Sequence, residues 1–206
     1  FIRGKTTTVM YLFTTVPEDI TKKLEEVINK KHTEKANHDL AGNIQKEFMI
    51  PEGKPIVWPM IDKCLQAHFE KYPNYYARIS GMHKTEKFHL ELHNLWVNYQ
   101  SKHEFNPIHV HDGLFSFVIW HKIPFKMADE KARFPHMKES EIRAGHFVFI
   151  MNNEMGQIVS HAVPADNEWE GKMALFPASL NHQVYPFYTS DEYRISISGN
   201  VGFQQQ

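Results

Sequence analysis

Three short stretches hold the residues that could do chemistry in this chain: His109-Val110-His111, then Pro177 to His182, then Arg194-Ile195-Ser196. Along a strand, residues i and i+2 share a face. His109 and His111 can therefore point at one centre, and His182, on a later strand of a barrel, can supply a third nitrogen. Arg194 follows in a stretch that reads as a core strand, where an unpaired cation is costly. Arg194, Ser196, Ser198 and Asn200 share one face, with Ile195 and Ile197 on the other. The planar guanidinium fork suits a carboxylate; the bland alternative is a surface arginine paired with Asp191 or Glu192. Together these residues point to a metal held on one side only, beside a pocket for a small anion.

Neutral imidazole binds iron, zinc, copper or nickel. Three imidazoles on one face of an octahedron leave three adjacent positions free. A bidentate 2-oxo acid fills two of them and dioxygen the third, which is the logic of facial-triad iron sites. The chain contains 14 histidines, so a chance His-x-His pair is the competing explanation. His103, His121, His136, His146 and His161 read as bystanders.

The elements that must position these groups are legible in outline. Residues 5–13 are β-branched and aromatic and read as a strand. Thr15, with Pro17 and Glu18, reads as the cap of a helix carrying Val16, Ile20, Leu24, Val27 and Ile28 at helical spacing. A second helix starts near Pro59 and stops at Pro73. From Lys87 the texture changes. Phe88–Gln100, Ser116–Pro124, His146–Asn152, Gln157–Pro164, Lys172–Phe176, His182–Tyr188 and Tyr193–Phe203 read as short strands separated by turns, one turn at 151–156. Such spacing points to a sandwich or barrel. Lys126–Arg143 is a long charged connection, partly helical, of the kind that forms lids or binding loops. The expected organisation is an N-terminal α/β portion, 1–86, packed on a β-barrel core, 87–206.

Composition narrows the function classes. The chain has 206 residues, 42% of them hydrophobic, and a net charge of -1. It can bury a proper core and has no electrostatic footprint for nucleic acid. Its single cysteine, Cys64, excludes an internal disulfide and a thiolate zinc cage and suits a cytoplasmic location. No apolar run approaches a membrane span, and no secretory apolar segment opens the sequence.

The ordered set of motifs resembles the 2-oxoglutarate/Fe(II)-dependent oxygenase superfamily, in particular oxygenases from bacteriophage and bacterial genomes. It comprises Leu95-Trp96-Val97-Asn98-Tyr99, Phe105 to His111, Ser116, Phe176 to His182 and Arg194 to Asn200. The stretch from Asn37 to Ile44 is similar to the N-terminal portions of phage members. The resemblance implies mainly β structure with flanking helices: a double-stranded β-helix (jelly roll) core. It implies Fe(II), 2-oxoglutarate and dioxygen, with succinate and CO2 released as a small-molecule or peptidyl substrate is hydroxylated. It places His109, His111 and His182 on the metal, Arg194 and Ser196 on the distal carboxylate of 2-oxoglutarate, and Tyr99 within reach of the co-substrate. Asn98 and Asn200 are candidates for orienting co-substrate or substrate. Trp120 stands where the family commonly has a tyrosine near the pocket.

One departure matters. The superfamily usually has His-x-Asp or His-x-Glu, and this chain has His-x-His. A β-bulge could turn Asp112 toward the metal, so His111 and Asp112 remain alternative ligands. Three other readings also stay open: a cupin-type three-histidine dioxygenase or isomerase, a zinc enzyme activating water, and a non-catalytic virion-associated or binding protein retaining the barrel.

Overall fold

The structure, a computed structural model, describes residues 11–38, 40–83, 88–153 and 155–204. Most of the first expected strand (5–10), Asp39, Glu154 of the 151–156 turn, and Gln205 and Gln206 lie outside the described residues. In chain order the elements are β1 (Leu12–Thr15), α1 (Glu18–Ile28), β2 (Lys46–Met49), α2 (Lys54–Lys71), α3 (Pro73–His83), β3 (Leu90–Gln100), β4 (Asn106–His109) and β5 (Phe115–Lys122). They continue with α4 (Met127–Ala132), β6 (Phe147–Asn152), β7 (Ile158–Val163), β8 (Lys172–Pro177), β9 (His182–Val184) and β10 (Arg194–Phe203). Single turns of 3-10 helix punctuate the loops.

All strand pairs are antiparallel, in two facing sheets of a jelly roll. The larger runs β1-β8-β5-β10-β3-β2 and the smaller β4-β9-β6-β7. Strand alternation assigns the larger sheet's two faces. Leu95, Val97, Phe117, Ile119, Leu175 and Ile197 face outward and pack with Leu24, Ile61 and Leu65 from α1 and α2. Trp96, Asn98, Gln100, Val118, Trp120, Arg194, Ser196 and Ser198 face inward, toward Phe147 and His182 of the smaller sheet. Strand β5 is buried on both faces, which is why it reads as a continuous apolar run. The N-terminal portion is continuous with the barrel: β1 pairs with β8 and β2 with β3.

Several local expectations need correction. Thr15 ends β1 and does not cap α1. Val16 donates to the Gly171 carbonyl, which keeps the chain extended until Pro17, and the Pro17 carbonyl takes the first helical N–H groups from Ile20 and Thr21. Helix α2 begins at Lys54, with Pro55 in its first turn and Pro59 inside the helix. Pro73 both stops α2 and opens α3, since a missing N–H is tolerated at a first helical position. The short strands β2 and β4 carry no recognisable apolar alternation; neighbouring strands impose them.

No residue of the 126–143 segment, expected as a lid or binding loop, lines the cavity between the sheets. Helix α4 buries Met127 and Glu130. The Glu130 carboxylate accepts from the Tyr188 and Thr189 backbone N–H groups and the Thr189 hydroxyl. This anchors the segment behind Arg194, beside Phe125.

Candidate metal centre

His109 ends β4 and is the direct cross-strand partner of His182 on β9. His111 lies just beyond β4, held extended by donation from its backbone N–H to the Ala178 carbonyl, 3.0 Å away. The three ring centroids are 4.2, 4.9 and 5.0 Å apart. One ring nitrogen from each lies within 4.8 Å of the other two, and His111 Nε2 is 3.2 Å from His182 Nε2. Two nitrogens in adjacent positions on one ion, each at ~2.1 Å, stand ~3 Å apart, a spacing the His111–His182 pair already has.

Backbone carbonyls fix which nitrogens face the centre. His109 Nδ1 donates to Pro107 O at 2.7 Å and His182 Nδ1 to Leu180 O at 2.8 Å. A proton held on Nδ1 leaves the Nε2 lone pair for a metal and orients the ring. Phe147 stacks on His182 at 5.5 Å, Phe176 meets its edge at 4.9 Å, and Trp96 lies 5.6 Å from His111. Burial, aided by charge on His109, lowers the His111 pKa to about 4 and that of His182 to about 3. Both rings are therefore neutral across the physiological range, as ligation requires. Asp112 is exposed and outside the cluster, which contains His111.

The cavity bounded by the histidines ends at Arg194, which is 3% exposed. Its Nε and Nη2 donate to Gln100 Oε1 at 2.9 and 2.6 Å, Nη1 to Gly145 O at 2.7 Å and Nη2 to Tyr185 O at 3.1 Å. Phe125 and Phe187 flank the guanidinium at 5.7 Å. Every acceptor is neutral, and among the described residues Arg194 forms no ion pair. Burial lowers its pKa to about 9, against the opposing charge of Glu130. The resulting buried cation, with uncharged partners, borders a cavity that it shares with three metal-type ligands. Such a site fits a small anion spanning the two. Gly145 contributes through its backbone. Its φ is +74°, and a Cβ there would sit 2.7 Å from the Phe125 ring, so glycine is needed for its carbonyl to reach Arg194.

The remaining candidates divide by strand parity. Ser196, Asn98 and Trp120 line the cavity, and Asn98 Nδ2 donates to Ser196 Oγ at 3.1 Å. Tyr99 does not. It lies on the opposite face of β3, among the helix-side apolar residues, and donates to Ile28 O at 2.7 Å. Its expected contact with co-substrate is thereby corrected. Asn200 accepts from Ser116 Oγ at 2.8 Å. With Asp112 it borders a second, open cleft of about 320 Å³, which meets the first cavity at Leu40, Trp96 and His111. Gln100, Asn106 and the loop residues Leu40, Ala41 and Ile44 also line the first cavity and escaped the sequence reading. The readable signal for Gln100 was its place two residues after Asn98.

A β-roll presenting three imidazoles and a buried guanidinium to one cavity defines a class of metal- and anion-binding barrels. Residues 94–200 match the family described as "Putative 2OG-Fe(II) oxygenase". That stretch spans more than half the chain, which belongs to this family of Fe(II)- and 2-oxoglutarate-dependent enzymes. Membership selects the oxygenase over the cupin-type, zinc and non-catalytic readings.

Among solved structures, the chain is similar to a Pseudomonas putida prolyl-4-hydroxylase, with a TM-score of 0.55 and 12% identity over 97% of this chain and 94% of that one. It is also similar to a viral collagen prolyl hydroxylase from Paramecium bursaria Chlorella virus-1 in complex with 2OG. That match has a TM-score of 0.50 and 13% identity over 96% of this chain and 98% of that one. At these identities the likeness shows the fold. No curated protein matches the sequence. Among the described residues no helix is long and apolar enough to cross a membrane.

Proposed function

We propose that this protein is a dioxygenase that hydroxylates a small-molecule or peptidyl substrate, consuming 2-oxoglutarate and dioxygen and releasing succinate and CO2. The observation that carries the reading is the position of Arg194, a buried cation with only neutral partners in the cavity of the three histidines. His109, His111 and His182 would hold Fe(II) through their ring nitrogens. Arg194 grips the distal carboxylate of 2-oxoglutarate in a charge-assisted contact, and the Ser196 hydroxyl adds a donor. Bound iron and 2-oxoglutarate supply the oxidising power, and one atom of dioxygen ends on the substrate. Phe147, Phe176, Val118 and Trp120 keep water from the cavity and so strengthen every polar contact inside it.

Substrate enters through the open cleft beyond His111, where Asp112 and Asn200 meet it. That cleft shares Leu40, Trp96 and His111 with the metal cavity and is not lined by Arg194. The lone Cys64 supports a reducing cytoplasm as the working compartment, and the near-neutral charge weighs against long nucleic acid as substrate. The test is product analysis: succinate released in step with a substrate gaining one oxygen, abolished in His182→Ala. Oxygen-dependent chemistry without succinate would contradict the proposal.

A further inference from the structure

Gln100 and Arg194 are direct partners across the β3–β10 ladder. Gln100 is 3% exposed and both ends of its amide are engaged. Its oxygen takes two guanidinium N–H groups, while Nε2 donates to the Glu104 carbonyl at 2.6 Å. That second bond fixes which way the amide faces, because a carbonyl must receive an N–H. A glutamate at this position would meet the same guanidinium with a charge and cancel it.

The carboxylates nearby are diverted elsewhere. Glu104 accepts from the Gln45 and Ser101 backbone N–H groups at 3.1 and 2.8 Å. Glu130, whose charge Arg194 feels, accepts from the Tyr188 and Thr189 backbone at 2.9 Å each. The cation is thus held by neutral acceptors, with no carboxylate in direct contact among the described residues and Glu130 acting on it only through space.

We propose that Gln100 is a positioning residue that aims the Arg194 guanidinium into the cavity without neutralising it, so that the site selects a 2-oxo acid carrying a second carboxylate. The inference rests on the proposed function. It assigns the preference for the dianion to a neutral neighbour as well as to the arginine itself.

The test is anaerobic calorimetric titration of the Fe(II)-loaded protein with 2-oxoglutarate and with 2-oxopentanoate, which has a methyl group in place of the distal carboxylate. Gln100→Glu should weaken 2-oxoglutarate by about 100-fold and leave 2-oxopentanoate and iron affinity near the wild-type values. Gln100→Met removes the acceptor without adding charge. It should cost 2-oxoglutarate about tenfold, again with little effect on 2-oxopentanoate, and it carries the test if the glutamate variant does not fold. A purely structural role for Gln100 would weaken both 2-oxo acids alike, and that result overturns the proposal. A wild-type preference for 2-oxoglutarate retained in both variants also overturns it and leaves the proposed function standing. A wild-type protein indifferent to the distal carboxylate removes the arginine clamp and this proposal together.

Discussion

His109 and His182 face each other across the β4–β9 pair, with ring centroids 4.2 Å apart. The first ends a strand of four residues and the second opens a strand of three. Each has its Nδ1 on a backbone carbonyl two residues upstream. Strand pairing therefore sets the distance between the rings, and the carbonyls set their orientation. Partners behind metal ligands are typically worth ~10–100-fold in affinity, so removing a ligand costs more. His109→Ala and His182→Ala should each weaken Fe(II) by over about 100-fold in anaerobic titration. Asp112→Asn should leave iron affinity unchanged; a comparable loss there would bring Asp112 back as the ligand.

Arg194 tests the other end of the cavity. A lysine carries the charge but lacks the fork that reaches Gln100, Gly145 and Tyr185 together. Arg194→Lys is expected to raise the 2-oxoglutarate Kd by about 10- to 100-fold, with Fe(II) affinity preserved. Equal loss of both would show that the arginine supports the fold rather than the anion.

Tyr99 separates proximity in sequence from proximity in space. Its hydroxyl donates to Ile28 O at the end of α1, away from the cavity. Tyr99→Phe should lower unfolding stability by about 1 kcal/mol, measured by urea denaturation, while 2-oxoglutarate affinity is unchanged. Weaker co-substrate binding without loss of stability would contradict the parity assignment.

Glu47 makes a pH-dependent contribution. It is fully buried on β2, directly opposite Asn98, and burial next to Glu104 raises its pKa from 4.5 to about 7. The folded state holds this proton where the unfolded chain has already released it. The stabilisation is complete below about pH 4.5 and is lost as pH rises through about 7. Glu47→Gln removes this dependence, and histidine titrations common to both proteins cancel in the comparison. Relative to wild type, the variant should gain of order 2–3 kcal/mol between pH 5 and pH 8. A constant stability difference across that range would show that Glu47 titrates normally.

The barrel was readable because strand alternation survives folding, and motif order brings the expected site residues to one cavity. His109, His111, His182, Arg194 and Ser196 all border the expected cavity. The resemblance misplaces Tyr99, whose neighbours Val97 and Ile195 are outward-facing, as parity on β3 already implies. Gln100 was missed because a buried glutamine has no motif, only a place beside Asn98 on an inward face. The Asn37–Ile44 loop lines the cavity through Leu40, Ala41 and Ile44, and an aperiodic stretch gives no sign of what it will cover. The 126–143 segment read as a lid or binding loop because long connections in compact domains often are. What fixes it, the capture of Glu130 by backbone N–H groups 58 and 59 residues away, cannot be inferred from local sequence.

The most direct test of the account is whether one cavity holds the metal and the anion together. Wild-type protein should be mixed anaerobically with Fe(II), then 2-oxoglutarate, and its visible absorption followed. The account requires a weak charge-transfer band when both are present and with neither alone, because the 2-oxo acid must chelate the same iron that the histidines hold. A wild-type iron complex whose spectrum ignores saturating 2-oxoglutarate would contradict it.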